Sequence, residues 1–248
     1  MIVRPTGDGT LLLITQPDHA RLAATLMSAW APALPVPVPA AARAAVLYAI
    51  EQHDNGWREV DASPGLNDAT ARPYDFIDTP AEVRREIWPR GVQRVAEDSP
   101  LAAALVAEHA LTLHAQRRTD PAWSAFFSRV EALQATLLRR CADEIGLSRE
   151  AFDRSYDLLH VGDVLSLVFC NQWIGPIEAR GYRIALGNDN DIAVSPDPYS
   201  GARVRFEVAA RAIPDRAYRS AADLGAAFRD ARPVTLAGTA AGVVTSER

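Results

Sequence analysis

A chain of 248 residues, 48% hydrophobic and 23% charged, is long enough to bury a substantial core and too balanced in composition to be disordered or collagenous. Its formal net charge of -5, with arginine as the sole cationic residue beside five histidines, excludes the broad basic footprint of an electrostatic nucleic-acid binder. Two cysteines, Cys141 and Cys170, fall in apolar helical patterns and imply no disulfide framework. Met1 to Pro5 lack the apolar core of a signal peptide, and no stretch reaches membrane-span length. The expected setting is cytoplasmic, with a small-molecule partner and neither nucleic acid nor membrane; the oligomeric state is not written in the pattern.

In chain order, Ile2-Val3-Arg4 and Thr10 to Thr15 read as two short strands joined by the glycine turn Thr6 to Gly9. Leu22, Ala23, Leu26 and Trp30 then form one helical face, with Asp18 as N-cap and His19 on that face at the first turn. Residues 31–39 hold four prolines and read as a connector. Ala40 to Asp54 is a helix whose inward stripe is Val46, Ala49, Ile50 and His53, with Gly56 expected to end it in the left-handed conformation. A long polar passage through Asp78 suits a lid or binding loop, and a helix is expected over Pro80 to Ala96. Ser99-Pro100 opens Leu101 to Gln116, where Leu101, Leu105 and His109 share a face.

Asp120-Pro121 starts a helix running to Gly146 along Phe126, Val130, Leu133, Leu137 and Cys141. Ser148 opens the last long one, whose face is Phe152, Tyr156, Leu159, Asp163, Ser166 and Cys170. After Gly175 the pattern alternates: Tyr182 to Leu186, Ile192 to Val194 and Arg203 to Val208 read as strands, Tyr218 to Phe228 as a short helix and Pro233 to Leu236 as a last strand. Gly238 to Arg248 reads as a loose tail. The fold expected is mostly α, a helical bundle with a small antiparallel β-sheet made by the N-terminal hairpin and the C-terminal strands. It is one domain over 1–248, with a helical core at 16–174 and a β appendage at 1–15 and 175–237.

Three helices thus place His19, His53 with Asp54, and Asp163 on inward faces. A buried, unpaired carboxylate costs several kcal/mol, on the order of a lost ion-pair partner, so Asp163 requires company, and a cation is sufficient. The plainer reading is that Asp18 and Asp54 cap helices while His19 and His53 bond to buried carbonyls. For His109, His114 and His160 taken singly, a hydrogen-bonded core role is the ordinary expectation. Trp57, Tyr74 and Phe76 are expected as core plugs ahead of a base-stacking platform.

The order His, His-Asp, Asp over separate helices resembles the HD-domain superfamily of metal-dependent phosphohydrolases. His19-Ala-Arg-Leu-Ala is like the helix of its first histidine, Leu47 to Asp54 like its helix ending in the His-Asp pair, and Gly162 to Leu167 like the region of its final aspartate. More closely, Ile14 to Ala20, His53 to Arg58, Arg72 to Phe76 and Asp163 to Leu167 resemble an uncharacterised bacterial family, domain of unknown function 3891, over nearly the whole chain. The superfamily likeness implies a helical bundle with a buried mono- or dinuclear metal site and hydrolysis of a phosphoester or nucleotide-like small molecule. It makes His19, His53, Asp54 and Asp163 metal ligands, and Asp54 and His109 the catalytic candidates. Mn, Fe, Zn, Ni or Co, as one or two ions, suits such nitrogen and oxygen donors. In the implied reaction a metal-activated water attacks phosphorus while the cation and an arginine stabilise the developing charge. Arg58, Trp57 and Tyr74 are the candidate substrate contacts. Asn55-Gly56-Trp57 stands where the superfamily commonly has an Ile-Gly-Lys-like continuation, so Arg58, Arg72, Arg84 or Arg90 must replace the lysine as phosphate binder. Two alternatives stand beside the hydrolase: a non-catalytic HD-like ligand-binding or interaction domain, and a di-iron oxygenase, which needs His109 and another histidine as further ligands.

Overall fold

In the computed structural model, which describes residues 1–30, 40–187 and 189–243, two antiparallel strands come first, β1 (Ile2–Pro5) and β2 (Thr10–Ile14). Helix α1 (Gln16–Ser28) is capped by Thr15, whose Oγ1 accepts from the Asp18 N–H at 3.1 Å. Asp18 is therefore not the cap; it sits in the first turn, its carboxylate against Thr15 Oγ1 and Arg21, where the helix end is positive. The connector at 31–39 lies outside the described residues. Helix α2 (Ala40–Gln52) runs into a 3-10 turn at Asn55–Trp57 and the short α3 (Arg58–Asp61). The polar passage beyond carries a small ribbon, β3 (Leu66–Asn67) with β4 (Arg72–Pro73). Four longer helices follow: α4 (Ala81–Ala96), α5 (Pro100–Leu113), α6 (Ser124–Ile145) and α7 (Arg149–Cys170), with Ser99 and Ser148 capping α5 and α7. Helix α5 stops before the expected Gln116 and passes into a 3-10 turn at Ala115–Arg117.

The C-terminal part builds β5 (Ile177–Ala179), β6 (Tyr182–Leu186), β7 (Asp191–Ser195), β8 (Arg203–Pro214), α8 (Ala221–Arg229) and β9 (Arg232–Gly242). With the N-terminal hairpin these strands form one seven-stranded sheet in the order β1-β2-β8-β9-β7-β6-β5, antiparallel except for the parallel pair β7–β9. The chain is therefore not a mostly helical bundle with a small antiparallel sheet. About 52% of the described residues are helical, and beside the helices stands a large, curled, mixed sheet. The difference has a physical origin in β8 and β9. The second half of β8, Ala209 to Pro214, and β9 carry much alanine together with proline and, in β9, glycine, residues of low intrinsic strand preference. They are strands because they pair with each other over ten positions, from Arg203 opposite Ala241 to Ala212 opposite Arg232. Gly238 to Gly242 accordingly belongs to β9 and is not tail.

Strand β2 shows how the sheet is buried. All of Leu11, Leu12, Leu13 and Ile14 are inside, because Leu12 and Ile14 face the helices while Leu11 and Leu13 pack with Ile213, Tyr218 and Leu224 under α8. On the helical side α1 lies against α2, α7 and β8, and Phe169 of α7 meets the Phe206 ring of β8 edge-on at 4.8 Å. Gly162 permits the α1–α2–α7 approach. A side chain there would stand 2.8 Å from Met27 Cγ and 3.3 Å from Ile50 Cγ2, so α7 would be held off the helices that carry the other histidines. Asp61 adds a tie at the sheet edge: buried, it accepts from the Met1 ammonium and from the Gln16 N–H, both at 2.6 Å, and so fixes the start of α1 against β1.

Candidate metal centre

Four inward faces converge. His19 comes from the first turns of α1, His53 and Asp54 from the end of α2, His109 from α5 and Asp163 from α7. Each histidine is 1% exposed and each aspartate 6%, so the cluster reaches solvent chiefly through its carboxylates. The imidazoles of His19 and His109 flank that of His53 edge-on, with centroids 5.0 and 5.1 Å away.

Hydrogen bonds fix which nitrogens face inward. His53 Nδ1 lies 2.7 Å from the Ile50 carbonyl, which can only accept, so Nδ1 carries a hydrogen and Nε2 is the ring's free nitrogen. That Nε2 is buried with no hydrogen-bond partner, 3.6 Å from Asp54 Oδ2 and 3.5 Å from Asp163 Oδ1. His19 follows the same logic. Ser166 Oγ donates to the Asp163 carbonyl at 2.9 Å and therefore accepts from His19 Nδ1 at 2.8 Å. His19 Nε2 is thus turned to Asp54 Oδ2 at 2.7 Å and Asp163 Oδ1 at 3.9 Å. His109 Nε2 stands 3.7 Å from Asp163 Oδ2, leaving its Nδ1 buried and unpartnered. All three Nε2 atoms therefore face the carboxylates.

The spacing suits an ion. Two donors each about 2.1 Å from a transition metal stand roughly 3.0 to 3.4 Å apart in octahedral or tetrahedral geometry. Two sets have all their donor atoms within 4.8 Å of one another, His19 with His53 and Asp54, and His53 with His109 and Asp163, and His53 belongs to both. The charge also suits one: with neutral imidazoles the two carboxylates leave two negative charges in a buried space. Without a cation, protons must compensate. Burial opposes charge on His53, but Asp54 and Asp163 outweigh it and push the imidazole up to about 9. Burial likewise raises both carboxyls, yet the histidines hold Asp54 and Asp163 below the ordinary carboxylate range. Burial pushes His109 down to about 4, so it is neutral at physiological pH.

The Asp54 carboxylate makes no capping bond, and the turn after it owes its shape to α4. Arg90 donates to the Gly56 carbonyl at 2.6 Å, Arg94 donates to the Asn55 carbonyl at 2.9 Å, and Gly56 packs directly on the Ile87 backbone. Gly56 is not in the left-handed region; it is needed for that close approach. The expected substrate contacts scatter: Trp57 is buried beside this turn, Arg58 is exposed and turned to Gln52, and Tyr74 packs over Gly65 in the β3–β4 region. Ser166, which orients His19, lies on the predicted face three residues after Asp163, so its reach was readable from helical spacing.

Fold and cluster together define a helix-and-sheet protein with a buried three-histidine, two-aspartate centre of metal-binding composition. The chain belongs to the family described as "Protein of unknown function (DUF3891)", which matches residues 1–215. No curated protein and no solved structure matches it. Among the described residues no helix is long and apolar enough to cross a membrane.

Proposed function

We propose that this chain is a metal-dependent hydrolase that holds a divalent transition metal on His19, His53, Asp54 and Asp163 and cleaves a phosphoester of a small molecule. The observation that carries the reading is His53. Its Nδ1 is committed to a main-chain carbonyl, while its bare, buried Nε2 faces two carboxylates at 3.5 and 3.6 Å. A histidine oriented by a main-chain carbonyl, with the other nitrogen turned to acids, is the arrangement that prepares a ligand. The resemblance of the His19, His53-Asp54 and Asp163 motifs to HD-domain enzymes supports the same reading.

An ion bound there supplies Lewis-acid polarisation of the ester and acidification of water. The chain supplies the rest. Ser166 and the Ile50 carbonyl hold the His19 and His53 rings in fixed tautomers. His109, neutral and with its Nε2 turned to Asp163, would take a proton from the attacking water at that nitrogen, and the burial of all three rings excludes bulk solvent. The two donor sets together offer five residues among those described, fewer than the six or more ligands of a di-iron oxygenase, which favours hydrolysis over that alternative.

The test is turnover on a panel of phosphomonoesters, phosphodiesters and nucleotides after reconstitution with Mn, Fe, Zn, Ni or Co. Metal-dependent turnover that falls by about a hundredfold or more in His53→Ala is expected. A metal-loaded protein inert across the panel would leave the non-catalytic domain as the better reading.

A further inference from the structure

Of the four arginines that sequence offers as anion binders, three are engaged elsewhere. Arg58 turns to Gln52, Arg72 pairs with Asp215, and Arg90 bonds the Gly56 carbonyl and pairs with Glu59 at 3.2 Å. The side chain of Arg84, half-buried on α4, has no hydrogen bond or ion pair among the described residues, and its Nε is buried without an acceptor. One turn further along α4, Trp88 is 4% exposed and its indole N–H also lacks an acceptor. The Trp88 ring touches His109 of the metal centre at 5.7 Å and, on another side, His114 at 6.0 Å. His114 is 6% exposed, and its Nε2 has no partner. The charged groups that bear on Arg84 and His114 are all basic, with Arg117 from the turn after α5 acting on both.

Buried donors normally find acceptors, and basic side chains normally gather acids. Here two donors from α4, Arg84 Nε and the Trp88 indole N–H, and one imidazole nitrogen of His114, free to donate in one tautomer, are unsatisfied among the described residues, and no carboxylate forms an ion pair with Arg84 or His114 there. We infer that Arg84, Trp88 and His114 form an oxyanion clasp that binds a phosphate group of the substrate beside the metal centre. The inference rests on the proposed metal centre for its role in catalysis but not for its ability to bind. His114 is two ring contacts from His109, a span within reach of a single small molecule whose phosphate sits in the clasp and whose scissile bond sits at His53, Asp54 and Asp163. The clasp thereby assigns the substrate class: a small organic phosphate, anchored through its oxyanion.

The experiment is calorimetric titration of the full chain, stripped of metal with chelator and dialysed, with inorganic phosphate. Saturable binding is expected in wild type, weakened at least about tenfold in Arg84→Gln, since a charge-assisted donor is lost. Trp88→Phe, which keeps a ring and removes only the N–H, is expected to weaken binding about threefold or more. Arg85→Gln removes the same charge from the neighbouring arginine, which stacks over Trp123 at 5.6 Å, and should change binding less than about twofold. Should Arg84→Gln fail to fold, Trp88→Phe and His114→Gln carry the comparison. Absence of saturable binding in wild type, or equal weakening in Arg84→Gln and Arg85→Gln, overturns the clasp. Metal content measured on aliquots of the same proteins after reconstitution with Mn, Fe, Zn, Ni or Co and dialysis separates the two readings. Phosphate binding that depends on Arg84 in a chain unable to take up metal would support the clasp and refute the centre. Metal uptake with phosphate binding indifferent to Arg84 would do the reverse.

Discussion

Replacing Gly56 with alanine is expected to destabilise the protein by about 3 kcal/mol or more, among the largest effects of any single methyl group in the chain. The added Cβ would lie 2.2 Å from the Ile87 carbonyl oxygen and 3.0 Å from its carbon. These are main-chain atoms of α4, so no rotamer change relieves the clash; the turn after Asp54 or the helix itself must move. Because Arg90 and Arg94 clamp that turn to α4, displacement carries His53 and Asp54 with it. Urea denaturation of metal-free wild type and Gly56→Ala should show a lower midpoint with an unchanged slope, and metal uptake should weaken in parallel. A loss below about 1 kcal/mol would mean that α4 and the turn are not packed as described.

The second large effect is a pH dependence that exists only without metal. In the metal-free protein Asp54 and Asp163 hold His53 up at about 9 against its burial, whereas the unfolded chain releases that proton near the ordinary value of about 6.5. A raised folded-state value contributes stability that is complete below about pH 6.5 and is lost as pH climbs toward 9. At 1.36 kcal/mol per unit this amounts to about 3 kcal/mol. On the acid side the sign reverses. Asp54 and Asp163 are held low, so their contribution is present above the ordinary carboxylate range and fades as pH falls through it. His109 and His114, each pushed to about 4 by burial, take up protons on unfolding below about pH 6.5 and add to the acid loss. Stability of the metal-free chain should therefore peak near pH 6.5. Urea unfolding at pH 6.5 and 9.5 should differ by about 3 kcal/mol in chelator, and by much less when a divalent ion replaces the His53 proton. An equal, small difference in both conditions would contradict the coupling of His53 to the two acids.

What the sequence made legible follows from periodicity. Val46, Ala49, Ile50 and His53 repeat at helical spacing, and so do Leu101, Leu105 and His109; both sets are buried, which is why the inward direction of each histidine could be read without knowing its neighbours. The convergence of four faces on one point depends on tertiary features with no local signature. Gly162 at the α7 crossing has no local signature, and Gly56 reads as a left-handed helix end when its role is the close approach to Ile87. Thr15 displaced Asp18 as the cap because the threonine directly before Gln16-Pro17 starts the helix three residues earlier, accepting from the Asp18 N–H itself. The sheet was underestimated for a different reason. Its long central pair carries much alanine with glycine and proline, and the parallel β7–β9 contact joins segments separated by β8 and α8, a non-local pairing that alternation alone does not encode. Trp88 and His114 gave no signal, since an aromatic residue inside a helix and a histidine at a helix end read as core; only their lack of hydrogen-bond partners among the described residues distinguishes them.

The most direct test of the central claim is elemental analysis of purified protein exposed to Mn, Fe, Zn, Ni and Co and then exhaustively dialysed, wild type beside His53→Ala and Asp163→Ala. One or two equivalents of a transition metal in wild type, reduced to background in both variants while their circular dichroism stays native, is the predicted result. A wild type that retains no metal after reconstitution, with both variants equally well folded, would contradict a metal centre at His19, His53, Asp54 and Asp163.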